Sequence, residues 1–340
     1  MDYGQQLRLL RDKGPQRLYL LYGPEDYLRE QYLAELKKIC LPEGEDGFSY
    51  KRLDGPELDV IELQNAIDAM PFLTERSFVE IRDVDLSKLK EPDKVLSVLK
   101  DIPDYCTVAL IQSPGMEPDG RLKTVKTLFT ISQKLCFTEQ GQSALINWIA
   151  RRFAASGKGI ELEAAQRLIF VSGDLMSKLI PEIEKVAAYA RGEKVTVSDV
   201  EAVAHHVPEA VIFTMTDYLA DQKFNSAISV LAELLGDKSN EPIAMLAMLG
   251  RQMRNLYAAR IALDRGEDSR WLMKELGIRS EYAARSLVRS ARGFSLPRLK
   301  RAVEICAETD YRIKSTGQDD RELIEEAVIR IAAGETHAQA

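Results

Sequence analysis

In the run Leu18-Tyr19-Leu20-Leu21-Tyr22-Gly23-Pro24-Glu25-Asp26-Tyr27-Leu28, five β-prone residues stop at a Gly-Pro turn and give way at once to a helical pattern. A strand that runs straight into a helix is where a nucleotide-binding α/β domain keeps its phosphate loop. Such a loop works through glycines whose backbone N–H groups wrap the phosphates, a lysine on the outer phosphates, and a Ser or Thr on magnesium. Of these only Gly23 is present, Glu25 and Asp26 would repel phosphate, and no Gly-Lys-Ser/Thr triplet occurs anywhere in the chain. The plainer reading is a tight turn followed by acids that suit the first turn of a helix. ATP binding is not expected here, and no cofactor is expected.

Outward from this turn, the first 140 residues alternate β-rich runs with helical patterns, which predicts a parallel sheet with crossover helices. The expected strands are Leu18 to Tyr22, Tyr50 to Leu53, Phe78 to Ile81, Thr107 to Ile111 and Leu135 to Phe137. Helices are expected at Glu25 to Lys38, Glu57 to Ala69 and Gly120 to Ile131. After Glu139 the β-rich runs vanish, and apolar residues recur at helical spacing to the end of the chain. Leu175, Leu179, Ile183 and Val186 form one apolar face, and Leu246, Leu249, Met253, Leu256 and Tyr257 form another in a longer helix. Breaks fall at Gly192, Pro208, Gly236 to Glu241, Gly266, Gly277 and Gly293. Three parts are therefore expected: an α/β domain over 1–141, a small helical domain over 142–208, and an all-α bundle over 209–340.

With 340 residues, 45% of them apolar and 29% charged, the chain can bury a core in each part. No apolar stretch approaches the roughly 20 residues of a membrane span, and no secretory leader is readable, so a cytoplasmic location is expected. The net charge of −7 argues against a protein that grips nucleic acid over most of its surface, but permits a local basic patch. Cys40, Cys106, Cys136 and Cys306 lie far apart without a Cys-x-x-Cys pair, so neither a zinc site nor a disulfide framework is suggested. Cys106 and Cys136 sit inside apolar runs and are expected in the core.

No catalytic constellation is readable. Arg82-Asp83-Val84-Asp85 follows the third strand, where nucleotide hydrolases carry magnesium-binding acids, but two acids on a surface loop are common and a solvated turn is the expected reading. His205 and His206 suit a helix end or an interface better than catalysis. A nucleotidyl transferase would need a cluster of metal-binding acids that the chain lacks.

Several segments resemble the delta subunit of the bacterial DNA polymerase III clamp loader. Leu20 to Leu28 is similar to that family's opening strand and turn, and Phe72-Leu73-Thr74-Glu75-Arg76-Ser77-Phe78-Val79 to the segment before its third strand. Gly173-Asp174-Leu175 with Glu182-Ile183-Glu184-Lys185 resembles its lid. Pro242 to Leu256, with Leu249-Gly250-Arg251-Gln252, and Asp310 to Gly317 resemble its last domain. Each motif is weak alone; their order and spacing carry the resemblance over nearly the whole chain.

The resemblance implies a degenerate AAA+-type domain, a helical lid and a C-terminal collar, with no active site on this subunit. It implies a protein that binds the beta sliding clamp and opens one of its interfaces, beside gamma/tau and delta-prime subunits, to load it on primed DNA. The alternative is an ATP-dependent loader or motor subunit of related fold, which the missing phosphate loop disfavours. Family members hold the clamp with two bulky apolar residues, matched here by Phe72 and Leu73, with Met70 beside them. Pro71 should end the preceding helix and leave them on a turn. Many clamp-binding peptides place Gln three residues before the pair and read Leu-Phe; this chain has Ala69 and Phe72-Leu73. For DNA, Lys123 and Lys126 are candidates, as are Arg289 and Arg292 within the basic group Arg285, Arg289, Arg292, Arg298, Lys300 and Arg301.

Overall fold

All seven residues of the strand Cys106–Gln112 are buried, a pattern that requires cover on both faces. In the computed structural model, which describes residues 3–42, 49–71, 74–113 and 115–334, this strand is the middle of a five-stranded parallel sheet. The chain divides into two units, the first comprising 1–140 with 175–177 and the second 141–174 with 178–340.

The first unit runs α1 (Tyr3–Lys13), β1 (Leu18–Tyr22), α2 (Asp26–Cys40), β2 (Tyr50–Asp54), α3 (Val60–Asp68), β3 (Ser77–Val84), α4 (Pro92–Lys100), β4 (Cys106–Gln112), α5 (Lys123–Ile131) and β5 (Gln133–Cys136). The sheet order is β2-β3-β4-β1-β5, with Leu20 opposite Leu110, Val79 opposite Val108 and Leu53 opposite Ile81. β1, flanked by β4 and β5, sits where the strand order reverses, so the β1–α2 turn lies at the position where open α/β sheets bind ligands. On one face, Leu20, Ile81, Val108 and Leu110 pack with Leu63 and Ile67 of α3, Leu96 and Leu99 of α4, and Val125 and Leu128 of α5. Each such leucine or isoleucine contributes about 1.5–3 kcal/mol by leaving water.

The five expected strands all form, with β3 longer and β5 two residues earlier than expected. The sequence reading missed α1, whose buried residues are only Gln6 and Leu10, and α4, a nine-residue helix starting at Pro92. Cys106 is buried as expected, but Cys136 is exposed. It lies next to buried Leu135 on an edge strand, where alternation sends it outward. Burial raises the Cys106 thiol to about 11 and the Cys306 thiol to about 12, so both stay protonated at neutral pH.

The second unit is helical: α6 (Gln142–Ala155), α7 (Leu162–Ser172), α8 (Met176–Tyr189, its first two residues counted in the first unit), α9 (Val197–Val203), α10 (Pro208–Ala220), α11 (Phe224–Gly236), α12 (Pro242–Asp264), α13 (Ser269–Leu276), α14 (Glu281–Ala291), α15 (Leu296–Ser315) and α16 (Asp320–Ala333). Contrary to the expectation of helix alone, two-residue strands β6 (Gly159–Ile160) and β7 (Lys194–Val195) pair in parallel. They are too short to show a period of two. α9 starts from a capping box between Thr196 and Asp199, and Pro208 opens α10 at a position where its missing N–H costs nothing. Leu246, Leu249, Met253 and Leu256 of α12 lie in the core with Ile305 of α15 and Val328 of α16. Within that core Gln252 donates to the Thr216 hydroxyl at 3.2 Å, so a buried amide has a partner across two helices. Among the described residues no helix is long and apolar enough to cross a membrane.

Candidate functional site

The β1–α2 turn is filled by the chain itself. Gly23 has φ +113, and a Cβ there would lie 2.4 Å from the Phe137 carbonyl oxygen, so only glycine fits. The Glu25 N–H donates to the Phe137 carbonyl at 3.0 Å and the Asp26 N–H to the Pro24 carbonyl at 3.1 Å. These are amides that a phosphate loop would aim at its ligand. Arg29, buried in α2, donates back to the Gly23 carbonyl at 3.2 Å. The Glu25 side chain is fully buried, and its Oε2 accepts from the backbone N–H of Met176 at 3.2 Å within the same unit. A buried carboxylate next to the turn thus has a backbone N–H as partner, and its charge would repel a phosphate there.

The neighbouring strand end differs from the solvated turn expected there. Arg82, Asp83 and Val84 belong to β3, which is irregular between Ile81 and Val84 and leaves Asp83 at φ +55. Arg82 makes a two-pronged pair with Glu30 at 2.8 Å and also contacts Glu80. Glu80 is buried and accepts from Lys37 at 2.7 Å and from the Tyr50 hydroxyl at 2.9 Å. Burial pushes the Glu80 carboxyl up, but Lys37 and Arg82 outweigh it and hold it below its ordinary value. Asp85 turns onto Ser87 at 2.9 Å and Lys88 at 3.3 Å. Among the described residues no group of His, Cys, Asp and Glu could hold a metal ion.

The segment that follows α3 is fixed at both ends. Asp59 caps the start of α3 by accepting from the N–H groups of Ile61 and Glu62 at 2.9 and 3.0 Å. Leu63, Ala66 and Ile67 face the core, and the helix ends at Asp68, before Pro71, as the sequence predicts. The Asp68 carbonyl accepts from the Tyr105 hydroxyl at 3.2 Å, while the Tyr105 carbonyl accepts from the Ser77 N–H at 2.8 Å. Arg76 donates to the Asp104 carbonyl at 3.2 Å. One corner, Asp104-Tyr105, therefore braces the chain on either side of residues 69–76. Met70 is 76% exposed there. Phe72 and Leu73 lie outside the described residues.

The DNA candidates fall in both units. Lys123 and Lys126 are exposed on α5, opposite its buried Val125 and Leu128, and Lys123 lies 3.4 Å from Asp93. Arg289 and Arg292 are exposed at the end of α14 in the second unit. The basic group around them is not uniform. Arg298 donates to the carbonyls of Ile331 and Ala332 at the end of α16, and Arg301 pairs with Glu304 and Glu308. His205 and His206 line a cleft of about 630 Å³ with Glu201, Glu233 and Asp237. Burial pushes the His206 imidazole below its ordinary value against the pull of Glu201, 3.8 Å away.

A five-stranded parallel sheet without a phosphate loop, followed along the chain by a long helical region, defines the class of fold. The family model for the DNA polymerase III delta subunit matches residues 19–137, and the model for the C-terminal domain of that subunit matches residues 209–331. The chain belongs to the DNA polymerase III delta subunit family. It is 22% identical over 315 residues to DNA polymerase III subunit delta of Bacillus subtilis, covering 90% of each chain. It is 23% identical over 277 residues to the probable delta subunit of Aquifex aeolicus, covering 78% of this chain and 77% of that one. The solved Bacillus subtilis DNA clamp loader delta protein (YqeN) has the same fold, with a TM-score of 0.51 at 20% identity over 98% of this chain and all of that one. The family places the protein among the subunits of DNA polymerase III, as a component of DNA replication.

Proposed function

We propose that this protein binds the beta sliding clamp and opens one of its interfaces without nucleotide chemistry of its own. Met70, Phe72 and Leu73 make the contact. The carrying observation is Met70, exposed two positions before Phe72-Leu73, with the chain bonded to Tyr105 at Asp68 before them and at Ser77 after them. Bulky apolar anchors that enter a partner's pocket contribute about 2 kcal/mol or more apiece. The filled Gly23–Glu25 turn supports a role in which neighbouring gamma/tau and delta-prime subunits handle ATP.

In this reading residues 1–141 act on the clamp, 142–208 serve as the lid domain, and 209–340 join the collar. Primed DNA is held within the assembled complex, with Lys123, Lys126, Arg289 and Arg292 as phosphate contacts. Co-elution of the purified chain with its own organism's clamp in the absence of nucleotide tests the reading. A clamp that elutes alone beside a folded chain contradicts it.

A further inference from the structure

We infer that α14 and the cleft beside the start of α7 form a track for single-stranded nucleic acid. The inference rests on the reading of this chain as part of a clamp loader working on DNA, and deepens it by naming the strand form and the residues.

Arg285, Arg289 and Arg292 are exposed at spacings of four and three, which places them along one side of α14. The opposite side, Ala284, Leu287 and Ala291, is buried. Among the described residues none of the three arginines has a carboxylate within ion-pair distance. Asp217 is near enough for the charge of Arg289 to act on it, but its own bond is with the Ser290 hydroxyl. The arginines of α15 and α16 differ: Arg301 and Arg330 hold Glu308, and Arg312 holds Glu326. The charges of Arg301, Arg312 and Arg330 are neutralised in place, and those of the three arginines of α14 are left to solvent.

The stripe is pre-organised. Ser280 caps α14 by accepting from the Ala283 N–H at 3.2 Å, and the Gln142 side chain bonds both Ser280 and the Glu281 N–H. Arg289 donates to the Ser286 hydroxyl at 2.8 Å, which holds one guanidinium against the helix. From Arg285 to Arg292 the helix rises about 10 Å, so the three arginines can each meet a separate phosphate along one strand. A cleft of about 420 Å³ opens directly beside it, lined by Arg285, Arg289, half-buried Tyr282, Gln166, Glu163 and Leu162. Leu162 is 63% exposed, and Tyr282 is held against the ring of Phe170 at 5.5 Å.

Arginines along a backbone path with apolar, aromatic and amide groups beside them suit unpaired nucleotides, whose bases can leave the path and enter a cleft. Duplex bases are stacked and paired and would leave the cleft empty. Glu163 disfavours a phosphate inside the cleft, but can accept from an unpaired base N–H, such as thymine N3–H or an exocyclic amine. An acidic protein partner would use the arginines alone.

The test is fluorescence anisotropy of the full-length chain with a short labelled oligothymidylate, and with the same strand in duplex with oligoadenylate, over a range of salt. Clamp binding is measured on the same preparations. The wild-type chain is expected to bind the single strand more tightly than the duplex. Arg285→Glu/Arg289→Glu/Arg292→Glu should weaken single-strand binding by at least about ten-fold and flatten the salt slope by about 2, the release expected for three phosphates. Arg285→Gln/Arg289→Gln/Arg292→Gln serves if the charge reversals disturb folding. Leu162→Asn should weaken the single strand several-fold and leave the duplex unchanged. Clamp binding by the α14 variants should match wild type.

No oligothymidylate binding by the wild-type chain at low salt, arginine variants that bind as wild type, or a preference for duplex would each overturn the inference. With clamp binding intact, that failure touches the track alone; loss of clamp binding by the wild-type chain is the failure of the clamp reading.

Discussion

Tyr105 donates its hydroxyl to the Asp68 carbonyl at 3.2 Å and, through its own carbonyl, accepts the N–H of Ser77 at 2.8 Å. A single residue at the start of the central strand thereby closes the end of α3 and the beginning of β3 around the segment that carries Met70. The proposed clamp contact depends on this brace, which fixes where the chain leaves α3 and where it enters β3.

Tyr105→Phe removes only the hydroxyl. We expect a cost of about 0.5–1 kcal/mol in stability, the usual value of a partly exposed hydrogen bond. Clamp affinity should fall several-fold, by slower association or faster dissociation of a looser segment. Urea unfolding and clamp-binding kinetics on the same variant check both; unchanged affinity would mean that the brace does not position the contact.

Gly23→Ala places a Cβ 2.4 Å from the Phe137 carbonyl oxygen at a φ of +113. Both the clash and the backbone conformation oppose the substitution, and a loss of about 2–3 kcal/mol is expected. Thermal melting of the variant reads this directly. A melting temperature equal to wild type would show that the turn is not packed as described.

Glu80 is held below its ordinary value of 4.5 by Lys37 and Arg82. A carboxylate with a depressed folded value stabilises the protein fully above its unfolded value, and that stability is lost as pH falls through the folded value. Stability should therefore drop below about pH 4.5, and Glu80→Gln should lose about 2–3 kcal/mol at pH 7 while showing less of this acid drop. Unfolding midpoints at pH 7 and pH 4 for both proteins check the sign.

Much of the architecture was legible in the sequence. Runs such as Val108-Ala109-Leu110-Ile111 are apolar without alternation because β4 is covered on both faces, and the α12 stripe from Leu246 to Leu256 repeats at helical spacing because one side meets the core. The absent phosphate loop could be read from residue types alone. The hydrogen bonds that close the turn could not, since Phe137 and Met176 are far from Gly23 and Glu25 in sequence. For the same reason Arg82 reads locally as part of a solvated turn, while its partners Glu30 and Glu80 lie on another helix and on its own strand. The basic group from Arg285 to Arg301 looked uniform in sequence, yet Arg298 and Arg301 are engaged within the bundle and α14 keeps its arginines exposed. Tyr105 carried no local signal, because its role comes from where β4 starts relative to α3 and β3.

The clamp contact itself is tested most directly by surface plasmon resonance of the full-length chain on its own organism's sliding clamp, without nucleotide, beside Phe72→Ala/Leu73→Ala. The wild-type chain should bind, and the folded double variant should bind at least about a hundred-fold more weakly, as expected for two apolar anchors. A double variant that melts normally and binds as tightly as wild type would contradict the proposed contact.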